Sequence, residues 1–535
     1  MAEAVCVLVV GAGPVGLTTA YELARRGVEV RLVDQAAGPA TSSRALAVHA
    51  RSLETFRQMG IVDELLPLGQ RVVHFTLHQH GRILIRFDTN YDTLPTPFPF
   101  SLMVDQVVTE RVLREATARL GIRVEWGVRL VGLRPVTDGA EAELDHADGR
   151  AERTVVPWLV GADGAHSVVR KSLGLRLAGD STETWLNADV VLDANLPRDS
   201  NHLVLCRGGA LLLVPFPEPG KWRIVDTVDA HDADDPEAVR ARIEAKLSAA
   251  LRRPVGVAPP TWTSAFTVQQ RMIGQMRVGR CFVAGDAAHV HSPASGQGMN
   301  TGIQEGYNLA WKLAQVALGY ADDALLDSYP AERVPVGQVL LRSTRKATAL
   351  VALRNAVAPV ALPAGLGLLS TLKPAKRKVE SKIIRGFCGL GLCYDSSPLT
   401  RPGPTTAAIP PGHRVAYTAE QQHRAGWREV VAELADPRWS LLLLGATGDE
   451  PRLAERYPAA VSVRSLPDPD GSVGRAFGVG PGGFVLIRPD GYVAGAGQYA
   501  GPADLDRLLR SCHLRPQVPD AAPTAPGVGS LAADA

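Results

Sequence analysis

The stretch from Arg280 to Ala317 contains residues whose types and spacing can hold a nucleotide cofactor. Cys281 to Ala284 is a short apolar run that predicts a buried strand, and Gly285-Asp286 ends it. A loop of small residues follows from Pro293 to Gly298, and a helical pattern starts at Met299. A carboxylate at a strand end can accept a hydroxyl group. A helix start offers free backbone N–H groups and favours negative charge.

These features suit a flavin. Asp286 is predicted to hold a ribityl hydroxyl, and the helix start is predicted to stabilise the anion that forms on the reduced ring. An ordinary buried strand with a capping Asp and a tight turn has the same pattern, so this segment alone does not separate the two interpretations. Other nucleotide-type segments of the chain favour the cofactor.

A glycine-rich motif lies near the start of the chain. Val5 to Val10 is a continuous apolar run, and Gly11-Ala12-Gly13-Pro14-Val15-Gly16 follows it. A helical pattern comes next, and then a second apolar run from Val28 to Val33 that ends in Asp34. Strand, Gly-x-Gly-x-x-Gly, helix, strand and acid in this order are typical of a dinucleotide site. A tight βα turn of any doubly wound sheet is the alternative.

Two further positions are candidate cofactor contacts. Pro157 to Gly161 predicts a buried strand, and Asp163 follows it just before a short helix. Asp163 is therefore either a second cofactor contact or a helix cap, and the first glycine motif favours the contact. Arg44 lies among small residues, as a phosphate contact would, but a surface arginine fits its position equally well.

Composition excludes several classes of protein. The 535 residues are 46% hydrophobic and carry a net charge of +2, so neither a nucleic-acid partner nor an acidic substrate is indicated. The six cysteines form no Cys-x-x-Cys pair and no metal-ligand spacing, and no signal peptide or membrane span is recognisable. We expect a cytoplasmic protein without a metal. We expect residues 516–535, which are rich in Pro, Ala and Gly, to be disordered.

Residues 175–268 read as a strand-rich region that could cover a flat apolar ligand. Trp185, Phe216 and Trp222 are its candidate pocket residues, although each taken alone is more typical of a core. Pro398 to Pro411 reads as a linker, and the strands and helices after it predict a small α/β domain.

The three motifs stand in the order Gly11–Gly16, Asp163-Gly164 and Gly285-Asp286, and the chain resembles the FAD-dependent aromatic hydroxylases (group A flavoprotein monooxygenases). It is most similar to the phenol-hydroxylase and aromatic-polyketide-hydroxylase branch. Further matching segments are Ser43-Arg44-Ala45, the helix of Gln106 and Glu110, Tyr394 to Leu399, and Arg488 to Val493. Glu305-Gly306 departs from the Asp-Ala that is common in the family.

The resemblance implies an α/β fold in which a Rossmann-like FAD-binding domain is interleaved with a β-sheet substrate domain, followed by a thioredoxin-like C-terminal domain. The implied boundaries are 1–72, 103–174 and 270–393 for the first, 73–102 and 175–269 for the second, and 394–515 for the third.

The resemblance also implies site roles. Gly11, Gly13, Pro14 and Gly16 would face the pyrophosphate, with Asp34 on the adenosine ribose. The remaining cofactor contacts would be Arg44, Gln106, Asp163, Asp286, Pro293, Gly296, Gly298, Met299 and Asn300.

The implied activity is hydroxylation of a phenolic or polycyclic aromatic substrate by a C4a-hydroperoxyflavin. It would use FAD, molecular oxygen and a transient NAD(P)H, with NADPH preferred, in a monomer or homodimer. Baeyer–Villiger oxidation, epoxidation and a non-catalytic flavin-binding protein stay open as alternatives. No catalytic residue is assigned. His49, His289 and His291 lie near the motifs, but a structural role is the simpler interpretation of each.

Overall fold

The computed structural model describes residues 7–207, 209–292, 296–352, 365–367 and 369–518, without the side chains of 182 and 345–352. Pro293 and residues 519–535 lie outside the described residues, so the proposed contact of Pro293 and most of the predicted disordered tail have no structural counterpart here.

Residues 7–172 contain twelve strands and five α-helices. The strands are β1 (Val7–Val10), β2 (Val30–Asp34), β3 (Ala47–Val48), β4 (Gln70–Val72), β5 (His74–Gln79), β6 (Arg82–Asp88), β7 (Ser101–Met103), β8 (Val124–Trp126), β9 (Val128–Val136), β10 (Gly139–His146), β11 (Ala151–Val156) and β12 (Trp158–Gly161). The helices are α1 (Pro14–Ala24), α2 (Ala50–Gln58), α3 (Val62–Leu65), α4 (Gln106–Arg119) and α5 (Val168–Ser172).

Residues 178–387 contain a strand-rich part followed by long helices. The strands are β13 (Ala178–Asp193), β14 (Ser200–Cys206), β15 (Gly209–Pro215), β16 (Lys221–Asp226), β17 (Gly256–Val257), β18 (Trp262–Met272), β19 (Arg277–Val278), β20 (Cys281–Val283) and β21 (His289–Val290). The helices are α6 (Pro236–Leu251), α7 (Gly298–Ala317), α8 (Ser328–Ala352) and α9 (Lys373–Phe387).

The last part of the chain forms a smaller α/β unit. Its strands are β22 (Trp439–Leu444), β23 (Val461–Leu466), β24 (Gly483–Ile487) and β25 (Val493–Gln498). Its helices are α10 (Trp427–Glu433), α11 (Glu450–Arg456), α12 (Ser472–Phe477) and α13 (Pro502–Ser511).

Two large sheets share the first two thirds of the chain. One has the strand order β19-β20-β12-β1-β2-β8, in which all neighbours are parallel except β19 and β20. The other runs β21-β18-β13-β16-β15-β14-β5-β6, with β17 beside β13. Their strands interleave along the sequence. β1 is buried along its whole length, and its sheet packs against α1 and against the strands β9 and β10 of a smaller sheet.

Three smaller sheets complete the fold. They have the orders β11-β10-β9, β3-β7-β4 and β23-β22-β24-β25, and β22 pairs with β23 in parallel but with β24 in antiparallel fashion. The predicted α/β fold class is confirmed, whereas the domain boundaries stay a prediction. Across the described ranges, no helix combines the length and the apolar character that crossing a bilayer requires.

Candidate cofactor and substrate site

The three motifs meet at the carboxyl ends of β1, β2, β12 and β20. Asp34 accepts a hydrogen bond from the backbone N–H of Ala12 at 2.7 Å, which joins the end of β2 to the glycine loop. A Cβ built on Gly11 would lie 2.4 Å from the carbonyl oxygen of Ala162, next to the second motif. One built on Gly285 would lie 2.7 Å from Cγ2 of Val15. Segments about 270 residues apart in sequence therefore form one loop cluster, as expected for parallel strands.

The glycine loop combines close backbone packing with an open surface. Gly11 has a φ of +104°, which disfavours a side chain, and a Cβ on Gly16 would lie 1.8 Å from the carbonyl oxygen of Gly11. At Gly13, by contrast, no described residue other than its chain neighbours has an atom within 4 Å of the Cβ position. Pro14 begins α1, and no side chain caps that helix. The loop therefore leaves both space and backbone N–H groups for an anionic ligand.

The two acidic residues at the strand ends are already engaged by backbone. Asp34 also accepts from the N–H of Ala36 at 2.8 Å. Asp163 accepts from Val168 and Val169 at 2.7 and 3.1 Å and so caps α5, while its Oδ1 is buried without a partner among the described residues. Both carboxylates that were predicted to contact the cofactor thus stabilise the backbone around them. One oxygen of Asp163 makes no hydrogen bond to a described residue.

Arg44 lies exposed on a loop that several side chains hold in place. Gln106 accepts from the N–H of Ala45 at 3.0 Å and donates to Glu110 at 2.8 Å. From the other side, Arg223 donates to the carbonyl oxygens of Ser43 and Arg44 at 3.0 and 3.1 Å. Gln106 therefore positions the loop with its side chain.

Arg223 extends from the second large sheet and is paired within it. It donates to both carboxylate oxygens of Asp189, at 2.7 and 2.8 Å, and both side chains are buried. This bidentate pair connects the sheet to the loop of Arg44. This pair was not among the predicted site residues. The available signal was a charged residue at an inward position in each of two strands that are buried on both faces.

Asp286 is an accessible carboxylate in a crowded recess. Its side chain is exposed, yet the surrounding protein raises the pKa of its carboxyl above the usual range, and the opposing charges of His289 and Arg44 do not cancel that effect. The turn that carries it is fixed because the N–H of Gly285 donates to Glu305 at 2.8 Å. An accessible carboxylate in such a recess suits a ligand hydroxyl.

Glu305 belongs to a buried charge cluster beside this turn. Its second oxygen lies 2.8 Å from Nε2 of His289, and the guanidinium of Arg333 lies 3.6 Å away. Although burial opposes ionisation, His289 and Arg333 hold the pKa of Glu305 below its usual range. Burial also opposes protonation of His289, but Glu305 outweighs it and raises the pKa of that imidazole. This pair was also missed, although the sequence marked Glu305 as unusual.

The other two histidines near the motifs also have structural contacts. Nδ1 of His49 lies 2.9 Å from the hydroxyl of Ser101. His291 donates from Nδ1 to the carbonyl oxygen of Ser292 at 3.0 Å. Burial and the neighbouring His289 lower the pKa of His291 to about 4, so this ring is neutral near pH 7.

The N-terminus of α7 is open at its backbone and fixed by one side chain. The side chain of the N-cap residue Gln297 does not cap this helix, so within the described part of the chain the N–H groups around Gly298 and Met299 are available. Asn300 accepts from the N–H of His49 at 2.8 Å and donates to the carbonyl oxygens of Ala47 and Gly296, both at 2.8 Å. The amide of Asn300 thus fastens α7 to β3.

Helices α1 and α7 approach each other closely because α7 carries glycine at two contact positions. A Cβ on Gly302 would lie 2.6 Å from Cγ2 of Val15, and one on Gly306 would lie 2.7 Å from the hydroxyl oxygen of Thr19. The N-termini of both helices therefore open toward the same recess.

The structure does not bring the three aromatic pocket candidates together. Trp185 packs with Leu203 and Val268, Phe216 packs with Leu46 and Met103, and Trp222 packs under α6. All three are buried. Their role against a substrate stays a prediction, and Trp222 lies on the sheet face opposite to Arg223.

These features fit the FAD that the sequence predicts. Two uncapped helix N-termini, the free space above Gly13 and the accessible carboxylate of Asp286 surround one recess. A dinucleotide with a pyrophosphate, hydroxyl groups and an anionic reduced ring complements that set.

Comparison with known proteins gives matches over nearly the whole chain. Residues 4–344 match the family model of the FAD binding domain, and residues 410–516 match that of the aromatic-ring hydroxylase C-terminal domain. The 6-methylpretetramide 4-monooxygenase of Streptomyces rimosus is 58% identical over 98% of this chain and 96% of its own length.

Solved structures agree with this. The anhydrotetracycline hydroxylase OxyS of Streptomyces rimosus is 27% identical, with a TM-score of 0.75 over 96% of this chain and 99% of its own. A ternary complex of aklavinone-11 hydroxylase with FAD and aklavinone is 25% identical, with a TM-score of 0.76 over 96% of this chain and 100% of its own.

Proposed function

Since the chain belongs to the FAD-dependent aromatic-ring hydroxylases, we propose that it hydroxylates an aromatic ring of a polycyclic polyketide intermediate in antibiotic biosynthesis. NADPH is the proposed electron donor and molecular oxygen the proposed oxidant. One oxygen atom enters the ring as a hydroxyl group and the other leaves as water, while NADPH and a proton become NADP⁺. We expect this to occur in the cytoplasm, in a monomer or homodimer.

The substrate class rests on one observation, the 58% identity to 6-methylpretetramide 4-monooxygenase over almost the full length of both chains. The complex of aklavinone-11 hydroxylase supports it, because aklavinone binds there in the same fold. We therefore propose a fused-ring phenol as substrate.

FAD, when bound, supplies the electron transfer and the activation of oxygen. We propose that Gly13 and the start of α1 hold its pyrophosphate, Asp34 its adenosine ribose and Asp286 its ribityl region. The backbone N–H groups at Gly298 and Met299 would stabilise negative charge on the reduced ring.

Other predicted contacts are proposed to act by positioning. Gln106 holds the loop of Arg44, Asn300 fixes the start of α7 against β3, and Asp163 caps α5. The sheet face that carries Asp189 and Arg223 would exclude water from the substrate.

The test is turnover of 6-methylpretetramide by the FAD-loaded protein with NADPH under ¹⁸O₂. We expect substrate-dependent NADPH oxidation and a product with one ¹⁸O atom on an aromatic carbon, located by NMR. A product with oxygen inserted into a ring bond would indicate Baeyer–Villiger oxidation instead of hydroxylation. An epoxide product would indicate epoxidation. An absence of substrate-dependent NADPH oxidation would overturn the proposed substrate class.

A further inference from the structure

Asn187 is a buried side chain whose amide oxygen has no hydrogen-bond partner among the described residues. It lies in the middle of β13 and is 8% exposed. Buried side-chain polar atoms in native folds nearly always have a partner, because an unpaired one costs folding free energy. Gln106, Asp163 and Asn300 make hydrogen bonds that stabilise the fold. The amide oxygen of Asn187 makes no such bond among the described residues.

The position of Asn187 connects it to the cofactor loop. Side chains alternate along a strand, so Trp185, Asn187 and Asp189 share one face of β13. Asp189 binds Arg223, which in turn holds the backbone of Ser43 and Arg44. Asn187 thus lies one side-chain step, about 7 Å, along the strand from the pair that holds this loop.

The neighbours of Asn187 across the sheet are mainly apolar. Its partners are Val225 on β16 and Ser264 on β18, and Val225 pairs in turn with Leu212 on β15. Phe266 on β18 pairs with Trp185. Val214, Phe266 and Leu205 on this face are only partly covered. The face combines a broad apolar surface with the amide of Asn187, and apolar surfaces with a few polar groups are typical of sites for aromatic ligands.

We propose that Asn187 orients the aromatic substrate by accepting a hydrogen bond at Oδ1 from a phenolic hydroxyl. This rests on the proposed function and names the group through which the substrate would be held. The ring system lies against the apolar face, and the hydroxyl satisfies the amide oxygen that the fold leaves open. Asn187 is a specificity-determining residue, because a ligand without that hydroxyl leaves Oδ1 unpaired.

The experiment compares two probes in the FAD-loaded protein, 2,6-dihydroxyanthraquinone, whose hydroxyls are too far from its carbonyls to bond to them, and unsubstituted anthraquinone. Their dissociation constants are measured from the change in flavin absorbance, for the wild type and for Asn187→Leu. Asn201→Leu is the matched control, because Asn201 on β14 has an amide oxygen of the same unpaired kind and β14 is three strands away from β13 in the sheet.

We expect the wild type to bind the dihydroxy probe more tightly, and Asn187→Leu to reduce that preference by about tenfold, as loss of one such hydrogen bond implies. Binding of anthraquinone should persist, Asn201→Leu should keep the preference, and the thermal midpoint of Asn187→Leu should be equal to or above that of the wild type.

A preference that survives in Asn187→Leu, that is lost equally in Asn201→Leu, or that is absent from the wild type would overturn the inference. Turnover of 6-methylpretetramide by the wild type is measured separately. A loss of the proposed function is therefore distinguishable from a loss of the role of Asn187.

Discussion

The two ends of α7 differ in how their polar groups are paired. Its first residues, from Gly298 to Gln304, carry no charge, and its N-cap residue Gln297 makes no capping hydrogen bond with its side chain. Its second half contains Lys312, which is fully buried and donates to Glu332 at 2.7 Å and to Asn308 at 2.9 Å. One end leaves donors unpaired for a ligand, and the other end pairs its buried charge.

The paired end is completed by the C-terminal unit. Arg488 donates to both oxygens of Glu332 at 2.6 and 2.9 Å and also binds Asp490, which accepts from Asn308 at 3.0 Å. Although burial opposes ionisation, Arg488 and Lys312 hold the pKa of Glu332 well below its usual range. The comparison teaches that ligand binding and stabilisation are separated along one helix. A substitution at one end can therefore change one of these properties without removing the other.

The largest effect is expected from Glu332→Ala, which removes the shared carboxylate and leaves Lys312 and Arg488 with too few partners. Breaking a buried ion pair on one side costs about 3–5 kcal/mol of unfolding free energy. Urea unfolding followed by circular dichroism measures it. Asp327→Ala is the control, because the Asp327 side chain that pairs with Arg277 is 74% exposed, and such pairs contribute at most about 1 kcal/mol. Equal stability of the two variants would contradict the comparison.

Gly306→Ala is expected to have an intermediate effect. The new Cβ would lie 2.7 Å from the hydroxyl oxygen of Thr19 and 2.9 Å from the carbonyl oxygen of Val15, so α1 and α7 must separate. Overpacking of this kind costs about 1–3 kcal/mol. Unfolding in urea and titration with FAD give the stability and the affinity in the same preparation.

Gly298→Ala is the matched change at the other end of the helix. Among the described residues, the atom nearest to its Cβ would be Nε2 of His291 at 3.5 Å, so the stability should change by no more than about 0.5 kcal/mol. FAD affinity should fall, because the added methyl group occupies the approach to the helix start. If Gly298→Ala lowers stability as much as Gly306→Ala, the two ends are not functionally distinct.

The smallest effect is expected from His289→Gln, and it depends on pH. Glu305 raises the folded-state pKa of His289 above 6.5, so the pair stabilises the fold fully below pH 6.5. That stabilisation is lost as the pH rises through the folded-state pKa. Glutamine keeps a donor for Glu305 but does not titrate. The unfolding free energy of the wild type should exceed that of the variant by about 1 kcal/mol at low pH. This difference in unfolding free energy should shrink as the pH rises. A difference that is constant with pH would contradict the charged pair.

Sequence patterns predicted the strands and loops of the site better than the pairs that its side chains form. The glycine loop, Asp34 and the Gly285-Asp286 turn lie together because parallel strands end at one edge, which a strand-by-strand reading already implies. The pair of Asp189 and Arg223 could not be predicted, because alternation shows that a side chain points inward but not which side chain faces it.

Local chemistry also leaves the role of a polar residue open. A strand-end aspartate such as Asp163 has the same sequence signature whether it caps a helix or binds a ligand. The aromatic candidates show the same limit, because Trp222 and Arg223 are adjacent in sequence and lie on opposite faces of their strand. Only the register of the sheet decides which of them faces the cofactor loop.

The ion cluster of Lys312 on α7, Glu332 on α8 and Arg488 is made of residues that are synthesised far apart in time. Glu332 leaves the ribosome 156 residues before Arg488, its main cationic partner. At about 5–20 residues per second, the nascent chain waits roughly 8–30 s with this carboxylate incompletely paired. The ion pairs at the second end of α7 can therefore be completed only after the C-terminal unit has been made.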